Sequence, residues 1–207
     1  MKVNTVDSRH LQSPGVFSVI QYFTEMDLTR LRCEAQIQLG TLELRCRPAE
    51  ENSPSTSTAA QRAWHYVARP GPLLADLHQQ PALRRLVSLT TGRSLLPTRA
   101  SYVGYPVGGF IDIHRDFEMC RYTVLASLSG AIEPLYIHPA LVGLDRAEIS
   151  KLSAITSDQG DSADISGTPV NIDEFGLFIF SGSNLPHHRK PASRPIMLLA
   201  MCFDSLV

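Results

Sequence analysis

Tyr102-Val-Gly-Tyr-Pro-Val-Gly-Gly-Phe-Ile-Asp-Ile-His114-Arg-Asp116 places a His-x-Asp pair inside an apolar run flanked by aromatic residues. Residues two apart on a strand project to the same face, which sets His114 and Asp116 side by side. A third polar ligand is available far downstream, in Phe180-Ser-Gly-Ser-Asn-Leu-Pro-His187-His188-Arg-Lys-Pro-Ala-Ser-Arg194. One histidine of the 187–188 pair would complete a set of two imidazoles and one carboxylate. That donor set suits non-haem Fe(II) and leaves coordination positions open for chemistry.

Around these stretches, from about Thr98 onward, the chain breaks into short β-favouring runs separated by turns: 99–105, 110–116, 122–129, 135–138, 168–172, 176–181 and 195–203. Asp145 followed three residues later by Glu148 reads as the start of a short helix. The polar run 156–167 reads as a loop. The pattern predicts a mainly β fold with flanking helices and a double-sheet jelly-roll core over 98–207. In such a core, inward side chains from non-adjacent strands meet at a barrel mouth, a common place for a small-molecule site.

Residues 1–97 read as a supporting region of helices and strands, and the whole chain, 1–207, as a single domain. The composition predicts a strand over 15–23 and a short helix over 27–33. Alternation of Ile37, Leu39, Leu42 and Leu44 predicts a strand over 35–47, with Gly40 at a bulge or turn. An exposed flexible loop is expected over 48–58 and a helix over 59–68. Helical spacing then runs from Leu73 to Leu89, interrupted near Pro81 and ended by Gly92. His65 and His78 fall in these helical runs and read as partly exposed helix residues, not ligands.

The formal net charge of −1 on 207 residues gives no global field for nucleic acid or anionic lipid. No apolar run reaches the roughly 18 residues of a spanning helix, and the first residues are too polar to open a signal peptide. The expectation is a cytoplasmic protein acting on a small molecule, without nucleic-acid or membrane partners, its oligomeric state open. The four cysteines show no Cys-x-x-Cys spacing, which argues against a structural zinc site, and a chain of this length needs no disulfide framework. Cys120 reads as a small hydrophobe at the start of a strand.

Taken together, a tyrosine ahead of glycines, His114-x-Asp116, the later Gly-x-x-x-Phe-x-x-x-x-Leu-Pro-His-x-x-x-Pro and an arginine before a final apolar strand resemble the Fe(II)/2-oxoglutarate-dependent dioxygenases. The nearest branch is the prolyl-4-hydroxylase-like one, and the resemblance covers roughly residues 99–203. It implies a double-stranded β-helix core, Fe(II) as metal and 2-oxoglutarate as cosubstrate. It makes His114, Asp116 and His187 the iron ligands, with His188 as the other choice for the distal histidine. It makes Arg194 the clamp for the far carboxylate of 2-oxoglutarate and turns Tyr102 toward the cosubstrate pocket. The interval from His187 to Arg194 is shorter than the family's, which leaves Arg121 and Arg189 as alternatives. An intact Asp116 favours oxygen insertion or hydrogen abstraction over halogenation. The implied reaction is hydroxylation of an unactivated C–H bond in a small molecule such as an amino acid or biosynthetic intermediate, with desaturation or cyclisation as outcomes of the same start. The residues by themselves also fit a catalytically silent jelly-roll binding protein, or a cupin-like metalloenzyme that uses no oxo acid.

Overall fold

The computed structural model describes residues 8–10, 15–19, 21–40, 63–130, 132–158 and 167–205. In chain order its elements are β1 (Ser8–His10), β2 (Val16–Val19), α1 (Glu25–Gly40), β3 (Ala63–Trp64), β4 (Tyr66–Ala68), α2 (Pro72–Gln79) and α3 (Pro81–Thr91). There follow β5 (Leu95–Tyr105), β6 (Phe110–His114), β7 (Tyr122–Ser127), β8 (Leu135–Ile137), a 3-10 turn (Pro139–Leu141), α4 (Arg146–Asp158), β9 (Thr168–Val170), β10 (Leu177–Phe180), β11 (His187–Arg189) and β12 (Ile196–Ser205).

The strands form two antiparallel sheets, one ordered β1-β2-β10-β7-β12-β5-β4 and the other β3-β6-β11-β8-β9. The large sheet is buried on both faces, so its central strands read as continuous apolar runs, such as Leu177-Phe-Ile-Phe180. Alternation divides those residues between two cores. Leu177, Ile179, Val124, Leu199 and Met201 face the helices, where Leu28, Leu74, Leu83 and Val87 cover them. Phe178, Phe180, Leu125 and Leu198 face the small sheet, where they meet Leu135 and Ile137. This is the mainly β jelly-roll architecture with flanking helices that the strand pattern predicts.

Two regions differ from the sequence reading. The run from Ala35 to Gly40 continues α1 instead of starting a strand, and the part of that expected strand beyond Gly40 lies outside the described residues. A reciprocal cap starts the helix: the Thr24 hydroxyl accepts the Asp27 N–H at 3.2 Å, and the Asp27 carboxylate accepts the Thr24 N–H at 3.1 Å. Once begun, the helix is held by Leu28, Leu31 and Ala35 on one buried stripe, which overrides the local alternation of Ile37 and Leu39. The expected helix over 59–68 is instead two short strands, β3 and β4, from residue 63 on. Aromatic and β-branched residues here (Trp64, Tyr66, Val67) form an edge strand of each sheet, β3 against β6 and β4 against β5. Residues 48–58, expected as a loop, and 59–62 lie outside the described residues. The expected loop over 156–167 begins as the last turn of α4, and 159–166 lie outside the described residues.

The helical layer is fastened to the large sheet through one carboxylate. Glu34 on α1 accepts the N–H groups of Leu73 and Leu74 in the first turn of α2, at 2.8 and 3.0 Å. It also accepts the Tyr102 hydroxyl from β5 at 2.7 Å. Two donors of a helix N-terminus that lack an intrahelical partner are thereby satisfied. Glu34→Ala should therefore lower unfolding free energy by about 2–4 kcal/mol, and Tyr102→Phe by about 1 kcal/mol. Urea titration followed by circular dichroism measures both, and equal losses would contradict the three-way role of Glu34.

Candidate metal centre and its pocket

The centre is assembled by one strand pairing. In the antiparallel register of β6 with β11, His187 lies directly opposite His114. Asp116 follows just past the end of β6, and its N–H bonds the Gly182 carbonyl at 2.9 Å. His114 Nε2 lies 3.7 Å from Asp116 Oδ1, and His187 Nε2 lies 3.6 Å from the same oxygen. The three ligand atoms all fall within 4.8 Å of one another. Both imidazoles are oriented from behind: Nδ1 of His114 donates to the Asp112 carbonyl and Nδ1 of His187 to the Leu185 carbonyl, each at 2.9 Å. A proton held on Nδ1 leaves the Nε2 lone pair free to face the centre. The other carboxylate oxygen, Oδ2, accepts the Thr123 hydroxyl. These donors fit a divalent iron: two neutral nitrogens and one anionic oxygen on one side, with the cavity on the other.

The electrostatics favour the ligating forms. Burial pushes the His114 imidazole down to about 3, and the neighbouring His187 adds to that, so its ring is neutral at ordinary pH. Burial alone would raise the Asp116 carboxyl, but His187, His114 and the Thr123 hydroxyl together hold it well below the usual carboxylate range.

Gly182 is a steric requirement of the same centre, because a Cβ there would collide with the Thr123 hydroxyl and the Asp116 carboxylate. The loop after Asp116 is also tied down covalently: Cys120, expected as a small hydrophobe, forms a disulfide with Cys202 across 82 residues. The start of β7 pairs with β12, Thr123 opposite Cys202, and this pairing brings the two sulfurs together.

A cavity of about 450 Å³ opens on the centre. At one end Arg189, on β11 and 1% exposed, enters its wall. One guanidinium nitrogen, Nη1, donates to the Glu133 carbonyl at 2.7 Å, and the Arg189 Cζ lies 5.3 Å from the centre of the Tyr105 ring. Nε and Nη2 are buried without a hydrogen-bond partner. Two orphaned donors of one buried guanidinium present the geometry that a carboxylate accepts.

The structure places six of the residues singled out in the sequence differently from their expected or alternative roles. Tyr102 does not face the pocket: on β5 the pocket side belongs to Ser101, Val103 and Tyr105, and alternation turns Tyr102 to the helices and Glu34. Burial and Glu34 raise its hydroxyl pKa. Arg194 does not line the pocket either. It lies exposed on the turn before β12, near Glu133, while β12 offers the cavity Leu198, Ala200 and Cys202. Arg121 pairs instead with Asp204 at 3.1 Å on an exposed edge. His188 faces away from the centre, bonded to His138 at 2.7 Å and stacked on Tyr136. His65 is not on a helix; it lies between β3 and β4, lines the cavity and packs on Tyr105. His78 is buried, not exposed, and its Nε2 bonds the Cys202 carbonyl at 2.9 Å.

His187→Ala should abolish binding of Fe(II) or Co(II), whereas His188→Ala should retain it. Gly182→Ala should weaken metal binding about 10–100-fold, as expected when the groups that orient a ligand are displaced. Calorimetric titration with Co(II) reads all three, and a His188→Ala variant that loses the metal would refute the assignment. The metal-free protein should also be acid-sensitive. Burial lowers the pKa of His114, His138 and His188, so below about 6.5 the unfolded chain takes up protons that the folded chain refuses. Stability should thus be highest above pH 6.5 and fall with decreasing pH, by up to about 1.4 kcal/mol per pH unit for each such histidine. Urea midpoints at pH 7.5 and 5.5, with chelator present, test this; equal midpoints would contradict it.

No protein-family model matches the sequence, and no curated protein matches it. Solved structures do. A prolyl-4-hydroxylase from Pseudomonas putida aligns over 93% of this chain and 93% of its own, with 15% identity and a TM-score of 0.54. HygX from Streptomyces hygroscopicus, solved with nickel and 2-oxoglutarate, aligns over 92% of this chain and 83% of its own, with 13% identity and a TM-score of 0.63. SnoN, a non-haem α-ketoglutarate-dependent epimerase of nogalamycin biosynthesis, aligns over 92% and 76%, with 10% identity and a TM-score of 0.64. The chain thus has the fold of the Fe/2-oxoglutarate-dependent oxygenases.

Proposed function

We propose that this protein is an Fe(II)- and 2-oxoglutarate-dependent oxygenase that hydroxylates an unactivated C–H bond of a small molecule, such as an amino acid or a biosynthetic intermediate. The reading is carried by one juxtaposition: a His114–Asp116–His187 ligand cluster in the same cavity as a buried guanidinium with two unpartnered donors. The oxygenase fold supports it. A cavity of about 450 Å³ that opens on the ligand cluster supports a small substrate, and a net charge of −1 offers no global field for nucleic acid.

In this reading His114 Nε2, Asp116 Oδ1 and His187 Nε2 hold the metal. Thr123 occupies Oδ2 and keeps the carboxylate from rotating. Arg189 takes the role that the sequence resemblance gives to Arg194: its free Nε and Nη2 receive the far carboxylate of the oxo acid, with Tyr105 packed beneath. Leu125, Leu135, Phe180 and Leu198 line the walls and restrict water. Bound iron and 2-oxoglutarate supply the oxidising power, with O2 and the oxo acid consumed to give CO2 and succinate. The chain's own task is placement of a C–H bond beside the open side of the metal.

Adding 2-oxoglutarate to anaerobic, Fe(II)-loaded protein should produce a weak visible charge-transfer band, and a screen of metabolites should find one that stimulates succinate release. Arg189→Ala should raise the 2-oxoglutarate concentration needed for the band about 100-fold, the usual scale for unpairing a buried charge. Arg194→Ala should leave that concentration unchanged. A protein that binds iron and shows no band would overturn the cosubstrate assignment.

A further inference from the structure

The end of the cavity opposite Arg189 is also cationic, and the proposed cosubstrate does not account for it. Along β6 and β11, Arg189 pairs with Ile111 and His187 with His114, so Arg189 lies two residues, roughly 7 Å, to one side of the ligand cluster. Arg115, Asp116 and Phe117 continue to the other side. On the facing sheet β5 spans the same length, with Tyr105 at its end beside Arg189 and Arg99 near its start, opposite Cys202. The cavity therefore has two poles with the ligand cluster between them.

At the second pole three arginines line the wall: Arg99, Arg115 and Arg146. Arg146 donates from Nη2 to the Asp116 carbonyl at 2.9 Å, which holds its guanidinium over the ligand loop. The Cζ atoms of Arg99 and Arg146 each lie 5.9 Å from the centre of the Phe117 ring, which is 59% exposed. Arg115 Nε is buried without a partner. Among the described residues, Asp116 is the one carboxylate that lines the cavity, and its two oxygens face the ligand cluster and Thr123. Three guanidiniums around one mouth repel one another unless an anion joins them, and a guanidinium fork matches the oxygens of a carboxylate or a phosphate.

We infer that the primary substrate is an anion whose carboxylate or phosphate group is held by Arg99, Arg115 and Arg146 at the mouth, with the carbon to be oxidised extending inward to the metal. Phe117 supplies an apolar face beside the anionic group. This inference rests on the oxygenase reading and names the substrate class for that same site.

The test uses the full-length protein, anaerobic, loaded with Fe(II) and saturated with 2-oxoglutarate so that Arg189 is occupied. Phenylacetate, phenyl phosphate and the neutral phenylacetamide are titrated in turn, followed by calorimetry and by perturbation of the charge-transfer band. At least one anion should bind tenfold or more tightly than the amide, and the stronger of the two distinguishes a carboxylate from a phosphate site. Arg99→Gln, an exposed position, should reduce that preference, and Arg99→Gln with Arg146→Gln should erase it while the 2-oxoglutarate band remains. Equal binding of anions and amide, no binding of any probe, or a preference undiminished in the double variant would overturn the inference. Absence of the band in the unmodified protein would instead sink the oxygenase reading, and calorimetry would still decide the anion preference.

Discussion

The register of β6 against β11 is the constraint from which the site follows. Side chains alternate along a strand, so a slip by one residue exchanges every inward group for an outward one. In the observed register His187 faces His114 and the cavity, while His188 faces Tyr136 and His138 on the other side. The same parity puts Arg189 on the cavity wall with His187. Both sides of β11 are thus committed: one to a ligand cluster and a guanidinium, the other to a buried imidazole pair. A three-residue strand with so few ladder bonds is held in register chiefly by these side-chain environments and by Pro186, whose carbonyl accepts the His138 N–H at 2.8 Å.

The support around the centre is denser than the ligand set. Thr123 comes from β7, Gly182 from the turn after β10, and the Asp112 and Leu185 carbonyls from either side of the strand pair. Each fixes one rotation of one ligand, and Thr123 also lines the cavity beside Phe180. The Cys120–Cys202 disulfide adds a covalent limit to how far the loop carrying Phe117 can move from β12. A site built this way is rigid before any ligand arrives, which lowers the reorganisation needed on binding.

Much of this was legible in the sequence because it depends on short-range periodicity. Strands from Leu95 onward, the break between α2 and α3 at Pro81 and the close of α3 at Gly92, in the left-handed region with φ 67°, all leave local marks. His114 and Asp116 were visible as a spaced pair, and His187 as a residue after Leu-Pro. What was not legible depends on parity and on distant partners. Tyr102 and Tyr105 are three apart on one strand and therefore face opposite ways, which sequence alone cannot assign without knowing which face is the cavity. Arg189 was visible only as an alternative to Arg194, in a strand too short to show a pattern, and His65 lay within a run that reads as helix. Glu34 carried no mark at all, since its three partners come from α2 and β5. The capping pair Thr24 and Asp27 marks the start of α1, whereas the alternation of Ile37 and Leu39 masked how far the helix runs.

The two poles of the cavity differ in how the fold provides them. Arg189 and Tyr105 lie in the sheets and are locked by packing, as a cosubstrate shared among reactions would require. Arg115 and Phe117 lie on the loop after β6, Arg146 at the start of α4 and Arg99 toward the N-terminal end of β5. Loops and element ends change residue with little cost to the sheet framework, whereas inward strand positions do not. One fold can host different reactions through different groups grafted on it, and the solved structures with this architecture include a hydroxylase and an epimerase. In the proposed reading the margin residues select the substrate, and their shared positive charge is the most specific chemical feature they present.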